Sequence, residues 1–342
     1  SRDHLDYHKT FKDYLNSKLI LFRKLLINRG NIIFDEIAPQ THQLNNISKK
    51  KKLKKYTFGT KKSLIKIINI AKINDHKIVD FSINKKIYSF KTSLIGKIQI
   101  KNLIYAIIAA HLSNIKIDDI LKILHKIKPI NGRLEKIGSI KNNSNVILDY
   151  AHTPDALKTA ILNVKEDYPL SNISIVFGCG GNRDKYKRSL MGGIASKYCD
   201  KIYLTDDNPR TENPRLIRNQ IKSGIKKHKY FEIPSRAKAI SKAVNDLGSG
   251  DVLIVAGKGH ENYQEYRTKK IFSDKSKILL AINKKNKLLS NSLKTNVINE
   301  EFINNNLNKN IFVKSATINS KKIYNNSIFI GIKGKKFNGN LY

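Results

Sequence analysis

The sequence predicts an α/β fold with a mostly parallel sheet. Residues 145–257 contain four short apolar runs, and stretches with helical character lie between them. Apolar strands that alternate with helices are typical of a parallel sheet covered by helices on both faces. Each run also ends in a polar turn rich in Gly, Asp or His. Ligands of open α/β sheets bind at the carboxyl ends of the strands, so the four turns predict one composite site.

The first part of the chain predicts a mixed α/β region. Apolar residues recur there at helical or alternating spacing between polar segments. The predicted elements are a helix over residues 1–30 that Gly30 ends, a strand over 31–35, a Lys-rich surface excursion over 41–63, strands over 76–95 and two helices over 100–128.

The second part of the chain shows a regular alternation of predicted strands and helices. The expected strands are 146–148, 173–177, 202–204 and 252–255, and the expected helices are 155–165, 214–228 and 235–247. Residues 284–310 are rich in Asn and Lys with little apolar content, which indicates a linker. A further β-like segment follows at 328–332, with too little chain behind it to close a core.

Composition excludes some classes of protein and leaves another open. No apolar run approaches the ~18–20 residues that span a bilayer. The first residues, from Ser1 onward, are polar and do not have the apolar segment of a signal peptide. Two cysteines argue against a disulfide framework and favour a reducing, cytoplasmic location. The 65 Lys and Arg against 27 Asp and Glu give a net charge of +38. Because the excess is mostly Lys and spread along the chain, a solvated surface is favoured over a polyanionic partner, which stays open.

Two of the four turns follow the first two strands of the alternation. Residues 149–155 read as a strand end capped into a helix by Thr153 or Asp155, with Pro154 in its first turn. An acid such as Asp149 at that position commonly accepts a ribose hydroxyl. Residues 178–184 are either a plain tight turn or, with Arg183, an anion site. Cys179 is interpreted as a small buried residue, since no base lies beside it in the sequence.

The other two turns carry the strongest polar signals. Residues 207–210 form either a β-turn or a clamp for a zwitterion. In the clamp, Arg210 takes a carboxylate while Asp207 and Asn208 take an ammonium or amide group. Residues 257–261, a Gly- and Lys-containing turn with His and Glu, are a weak motif alone and lack the spacing of a phosphate-binding loop.

These four turns, in this order and preceded by residues 132–135, resemble the Mur ligases over about residues 1–282. The resemblance implies a partial P-loop-type central ATPase domain followed by a Rossmann-like C-terminal domain. The implied organisation is a central domain over 1–130, an amino-acid-binding domain over 131–283, a linker over 284–310 and the start of a second ligase over 311–342.

The resemblance also implies roles for individual residues. His4 and a carbamoylated Lys18 would hold Mg²⁺ and act in catalysis, and Asn102 would contact adenine. Gln99 departs from the family, which usually has Asn at this position. The amide group is the same, but its side chain is one methylene longer. The implied nucleotide contacts of the C-terminal domain are Arg133 and Asp149. The implied contacts to meso-diaminopimelate are Arg183, Asp207, Asn208, Arg210, Gly257 and Glu261.

The implied activity is ATP-dependent amide formation in peptidoglycan precursor synthesis. ATP and Mg²⁺ would be the cofactors, and meso-diaminopimelate would be joined to UDP-N-acetylmuramoyl-L-alanyl-D-glutamate through an acyl phosphate. Lysine lacks the second carboxylate of diaminopimelate, so binding it would leave the Arg210 guanidinium unpaired. The resemblance gives no reason to expect a membrane or nucleic-acid partner.

One expected motif is missing from the sequence. Family members carry a Walker-type Gly-rich loop, and residues 59–63 do not qualify because a second Gly before the Lys is absent. We therefore expect a fragment that begins inside a motif and does not turn over ATP alone. Residues 315–323 and 329–334 resemble the N-terminal domain of the Mur ligase that adds D-alanyl-D-alanine, which favours a fusion of two ligases.

Three alternatives stay open at this point. A folylpolyglutamate synthase-like ligase shares the fold and the carbamoylated Lys, although the turns at 207–210 and 257–261 disfavour it. A basic polyanion-binding protein would show affinity that falls steeply with salt. An inactive remnant of a ligase would also lack the Walker-type loop.

Overall fold

The computed structural model describes residues 10–73, 76–226, 230–289, 315–317 and 327–329. The chain divides into two compact units, Arg2–Pro129 and Ile130–Tyr342. None of the helices in the described ranges combines the length and apolar character that a bilayer-spanning helix needs.

The first unit contains a five-stranded sheet in the order β1-β2-β3-β4-β5. Its strands are β1 Asn31–Asp35, β2 Lys54–Phe58, β3 Ile65–Ile73, β4 His76–Ile83 and β5 Lys86–Thr92. Its helices are α1 Phe11–Ile20 with a π-helical turn Leu21–Leu25, α2 Thr41–Lys50, α3 Lys97–Leu112, and α4 Ile117–Ile123 with a 3₁₀ turn Leu124–Lys126. The first three strands pair in parallel and the last two pairs are antiparallel.

The core of this unit lies between the sheet and α3. Apolar side chains of α3 recur at helical spacing from Ile100 to Ile108 and pack against Val79 and Phe81 of β4. The strand over 31–35 and the helices of 100–128 are therefore confirmed. The prediction of a surface excursion over 41–63 is wrong, because helix α2 and strand β2 lie in this segment. Leu44 and Ile47 of α2 are buried, and the high Lys content of the segment concealed this amphipathic pattern.

The second unit contains a six-stranded sheet in the order β10-β9-β8-β11-β7-β6. The strands are β6 Glu135–Ser139, β7 Asn145–Asp149, β8 Ile173–Phe177, β9 Lys201–Leu204, β10 Tyr230–Glu232 and β11 Val252–Ala256, and a hairpin adds β12 Tyr263–Tyr266 and β13 Thr268–Ile271. The helices are α5 Pro154–Asp167, α6 Tyr186–Tyr198, α7 Pro214–Lys222, α8 Arg236–Asn245 and α9 Asp274–Leu289.

The parallel arrangement of this sheet confirms the predicted fold class. The strands β10, β9, β8, β11 and β7 pair in parallel, and β6 joins the edge antiparallel to β7. Every residue of β8 and β11 is buried, as expected for strands covered on both faces. The strands β6 and β10 were not anticipated. Helix α9 continues to Leu289, past residue 284 where the linker is expected to begin.

The tail gives only a short pair of strands. β14 Ser315–Thr317 and β15 Ser327–Phe329 pair in parallel. The rest of the expected linker and of the second ligase segment lies outside the described residues.

Candidate active site

The polar turns of the second unit lie at one edge of its sheet. Because β7, β8, β9 and β11 run in parallel, the turns that follow them meet at the carboxyl ends of the strands. The turns after β8 and β9 touch through their backbones, since the Gly181 N–H donates to the Asn208 carbonyl at 2.9 Å. A Cβ on Gly181 would lie 1.9 Å from the Pro209 carbonyl oxygen, so this approach requires glycine.

The amide of Asn208 is the first fixed group of the site. Its Oδ1 accepts hydrogen bonds from Lys258 Nζ at 2.9 Å and from the Glu265 N–H at 3.0 Å. Its Nδ2 donates to Glu261 Oε2 at 3.0 Å. Asn208 of the turn after β9 is therefore in direct side-chain contact with Lys258 and Glu261 of the turn after β11.

Lys258 contacts acidic residues of both turns. Its side chain is fully buried, and Nζ lies 3.0 Å from Glu261 Oε2 and 4.0 Å from Asp207 Oδ1. A buried ammonium requires such partners, because burial without them would cost several kcal/mol. Sequence reasoning missed Lys258, although a lysine that directly follows a fully apolar strand and one glycine was an available signal.

Gly257 leaves room for Asp207. Its φ of +114° lies in a region that residues with a side chain rarely adopt. A Cβ there would lie 2.7 Å from Asp207 Oδ2. Gly257 therefore contributes to the site by its lack of a side chain.

Arg210 is linked to the Lys258 group through Glu265, whose N–H donates to Asn208 Oδ1. Its Nη1 donates to the Gly181 carbonyl at 2.7 Å, and its Nε lies 3.3 Å from Glu265 Oε2. A guanidinium has five donors, so these contacts leave others for a ligand carboxylate. A Cβ on Gly180 would lie 3.0 Å from Arg210 Nη1 and 3.9 Å from Cγ of the exposed Arg183, so both arginines border this glycine.

A buried arginine stabilises the glycine-containing turn after β8. Arg188 is fully buried, and its Nη1 and Nη2 bind the two carboxylate oxygens of Glu212 at 2.8 and 2.9 Å. Nη2 also donates to the Gly180 carbonyl at 3.1 Å. Glu212 in turn accepts the Asn182 N–H, and its pKa is lowered, with the hydrogen bond from Arg188 as the main cause.

A second buried arginine supports Asp207. Arg236 binds both carboxylate oxygens of Asp274 at 2.8 and 2.6 Å and donates to the Ala256 carbonyl at 2.8 Å. Its Nη1 lies 3.7 Å from Asp207 Oδ2 and has no hydrogen-bond partner among the described residues. Burial opposes the charge, but the carboxylates of Asp274, Asp207 and Glu261 together outweigh it and raise the pKa of Arg236. Sequence reasoning missed this pair because the partners start different helices.

Asp149 is engaged by the backbone. Its oxygens accept the N–H groups of Leu134 and Ala151, both at 2.8 Å. Burial raises the pKa of Asp149, although these hydrogen bonds oppose the shift. The Arg133 guanidinium lies 4.5 Å from the centre of the Tyr150 ring. The expected cap of α5 is confirmed, with Thr153 as N-cap and Pro154 in the first turn.

The structure brings only some of the predicted residues together. Asp207, Asn208, Gly257 and Glu261 lie around Lys258, and Glu265 connects this group to Arg210. Burial raises the pKa of Cys179 to about 12, in agreement with its interpretation as a buried non-nucleophile.

Three predicted residues belong to the first unit. Lys18 is exposed in the last turn of α1, with Nζ 4.7 Å from the centre of the Tyr14 ring. Asn102 is exposed on α3. His4 lies outside the described residues. Within the described residues, no group of three His, Cys, Asp or Glu side chains could hold a metal ion.

Comparison with known protein families gives two matches. Residues 1–110 match the Mur ligase middle domain, and residues 132–259 match the Mur ligase glutamate ligase domain. A UDP-N-acetylmuramoyl-L-alanyl-D-glutamate–2,6-diaminopimelate ligase from Rickettsia conorii is 42% identical over 283 residues. The match covers 82% of this chain and 57% of that relative, so the chain spans little more than half the relative's length.

Solved structures give the same picture of the fold. A structure of a UDP-N-acetylmuramoyl-L-alanyl-D-glutamate–2,6-diaminopimelate ligase superposes with a TM-score of 0.57 at 30% identity, covering 83% of this chain and 58% of that one. The MurF ligase from Thermotoga maritima in complex with ADP has a TM-score of 0.61 at 14% identity, covering 84% and 60%. At that identity the second likeness concerns the fold alone.

Proposed function

The chain belongs to the Mur ligase family, and on this basis we propose that the complete protein joins meso-diaminopimelate to UDP-N-acetylmuramoyl-L-alanyl-D-glutamate with ATP. The observation that carries the proposal is the cluster in which Asp207, Asn208, Lys258 and Glu261 contact one another and Glu265 leads to Arg210. We propose that this cluster lines the diaminopimelate pocket. Relatives that bear the name of this ligase support the choice of substrates.

The pocket has the chemistry of a zwitterion site. Asp207, Glu261 and Lys258 combine two carboxylates with one ammonium, so one negative charge remains for a ligand ammonium. Arg210 and the Asn208 amide supply donors for a ligand carboxylate. The distal amino-acid centre of diaminopimelate carries both groups, whereas lysine carries no carboxylate there.

The proposed reaction has two steps. A carboxylate oxygen of the UDP-linked dipeptide attacks the γ-phosphorus of ATP, ADP leaves, and an acyl phosphate forms. The amine of diaminopimelate then attacks the acyl carbon, phosphate leaves, and the amine nitrogen loses a proton as the amide forms. The contribution of the pocket is to hold the distal centre of diaminopimelate so that its reacting amine is correctly placed.

The nucleotide and metal roles stay predictions. We propose that Asn102, Arg133 and Asp149 contact the nucleotide, and that His4 and carbamoylated Lys18 hold Mg²⁺. The exposed amine of Lys18 is compatible with carbamoylation. When bound, the ion would neutralise phosphate charge during transfer.

The test is a ligation assay with the complete protein. ATP, Mg²⁺ and the UDP-linked dipeptide are supplied with meso-diaminopimelate or L-lysine, in the wild type and in Arg210→Ala. We expect product with diaminopimelate, little with lysine, and loss of diaminopimelate joining in Arg210→Ala. Joining of neither amine would favour the inactive remnant, and equal joining of both would refute the role of Arg210.

A further inference from the structure

Lys258 differs from Lys285, another buried lysine of this unit, in the kind of partner it has. Lys285 donates to the carbonyls of Val244, Asn245 and Leu247 at the end of α8, which is a backbone-capping arrangement. Lys258 instead donates to the side chains of Asn208 and Glu261. The charge of Lys258 therefore acts on the residues that the proposed function assigns to the substrate.

Lys258 determines which way the Asn208 amide points. The ammonium and the Glu265 N–H both donate to Oδ1 of Asn208, so a flipped amide would place its NH₂ group against two donors. The observed orientation gives one Nδ2 hydrogen to Glu261. The other hydrogen of Nδ2 can then be offered to a ligand carboxylate.

Lys258 also determines which oxygen of Glu261 can meet an ammonium. Oε2 receives hydrogen bonds from Lys258 at 3.0 Å and from Asn208 at 3.0 Å. Oε1 lies on the other side of the carboxylate, 3.5 Å from the Tyr150 hydroxyl. The Asn208 amide therefore offers a hydrogen-bond donor to a ligand, and the Glu261 carboxylate offers an acceptor.

We propose that Lys258 is a positioning residue of the diaminopimelate pocket, which holds the Asn208 amide and the Glu261 carboxylate in the orientation that a zwitterionic ligand requires. The proposal rests on the proposed function. It assigns Lys258 no contact with the reacting atoms. Without the ammonium, Asn208 Oδ1 keeps only the Glu265 N–H as donor, so the amide is held less firmly, and Asp207 and Glu261 lose their nearby lysine cation.

The test compares Lys258→Met with the matched control Lys285→Met in the complete protein. Both changes remove a buried ammonium, but only the first removes it from the pocket. For Lys258→Met we expect KM for diaminopimelate to rise by about tenfold or more, the scale of losing one hydrogen bond to a charged group. We expect kcat at saturation, KM for ATP and KM for the UDP-linked dipeptide to stay within about twofold.

A specificity ratio separates positioning from general destabilisation. The ratio of kcat/KM for diaminopimelate to kcat/KM for lysine should fall in Lys258→Met and stay unchanged in Lys285→Met, because lysine does not use the Asn208 donor. If Lys258→Met does not fold, Lys258→Gln is measured instead. Its amide can still donate to Asn208 Oδ1, and a smaller rise in the same KM is expected.

The outcomes distinguish the two proposals. A wild-type protein that joins neither amine would refute the proposed function, and with it this inference. A wild type that prefers diaminopimelate, with an unchanged KM and specificity ratio in Lys258→Met, would overturn the role of Lys258 alone. Equal effects of Lys258→Met and Lys285→Met on every constant would also overturn it.

Discussion

The buried pair of Arg236 and Asp274 gives the largest stability effect that we predict. Both side chains are fully buried, and two hydrogen bonds of 2.6 and 2.8 Å join them. Asp274→Asn keeps the shape but leaves the guanidinium without its main counter-charge. Removing one partner of a buried ion pair costs roughly 3–5 kcal/mol. At about 2–4 °C per kcal/mol for a unit of this size, the melting temperature should fall by about 6–20 °C.

Calorimetry of the complete protein measures this effect, with Asp119→Asn as control. Asp119 pairs with Lys122 at 2.9 Å on an exposed helix surface, so the same substitution there should leave the melting temperature almost unchanged. The double variant Arg236→Met/Asp274→Leu should recover part of the loss, because it removes both charges of the pair and leaves Asp207 with Lys258 as its cation. A fall of less than about 1 kcal/mol in Asp274→Asn would refute the assignment of this pair as a desolvated ion pair.

Three further predictions follow from single sites. Gly257→Ala should destabilise the second unit by about 1–2 kcal/mol and raise KM for diaminopimelate, because φ is +114° and the new Cβ would displace Asp207; urea denaturation and steady-state kinetics check this. Arg188→Met should lower stability by roughly 3 kcal/mol, because Glu212 and the Gly180 carbonyl lose their donor; a urea midpoint equal to that of the wild type would contradict it. Burial lowers the pKa of Lys285 to about 8, below the value of about 10.4 in an unfolded chain. Between these values the unfolded chain binds more protons, so wild-type stability should rise with pH relative to Lys285→Met. Urea midpoints of the two proteins at about pH 8 and about pH 10 test this sign, and a constant difference would contradict it.

The strand and helix pattern of the second unit was predictable because its signals are local. Its apolar runs correspond to buried strands, as in Ile173–Phe177 and Val252–Ala256. The first unit was harder, because helix Thr41–Lys50 buries only one narrow face and its remaining positions are polar. Strand Tyr230–Glu232 is three residues long and only partly buried, too short for a periodic signal.

The candidate site shows a similar division. The turn at 207–210 could be proposed from its residue types, since a polar group of that kind after an apolar strand indicates ligand contact. The buried residues that hold this turn in place could not be predicted from the sequence. Arg236 and Asp274 are 38 residues apart in sequence, and Arg188 and Glu212 are 24 apart. These pairs depend on how helices pack onto the sheet, which no local pattern encodes.

A crystal structure of the complete protein with meso-diaminopimelate bound tests the proposed site most directly. We predict that the distal carboxylate lies on Arg210 and the Asn208 amide nitrogen, with the distal ammonium against Glu261 and Asp207. Lys258 should keep its contacts with Asn208 and Glu261 in that structure. A distal centre bound away from these residues, or a ligand that displaces Lys258 from them, would refute the proposed site.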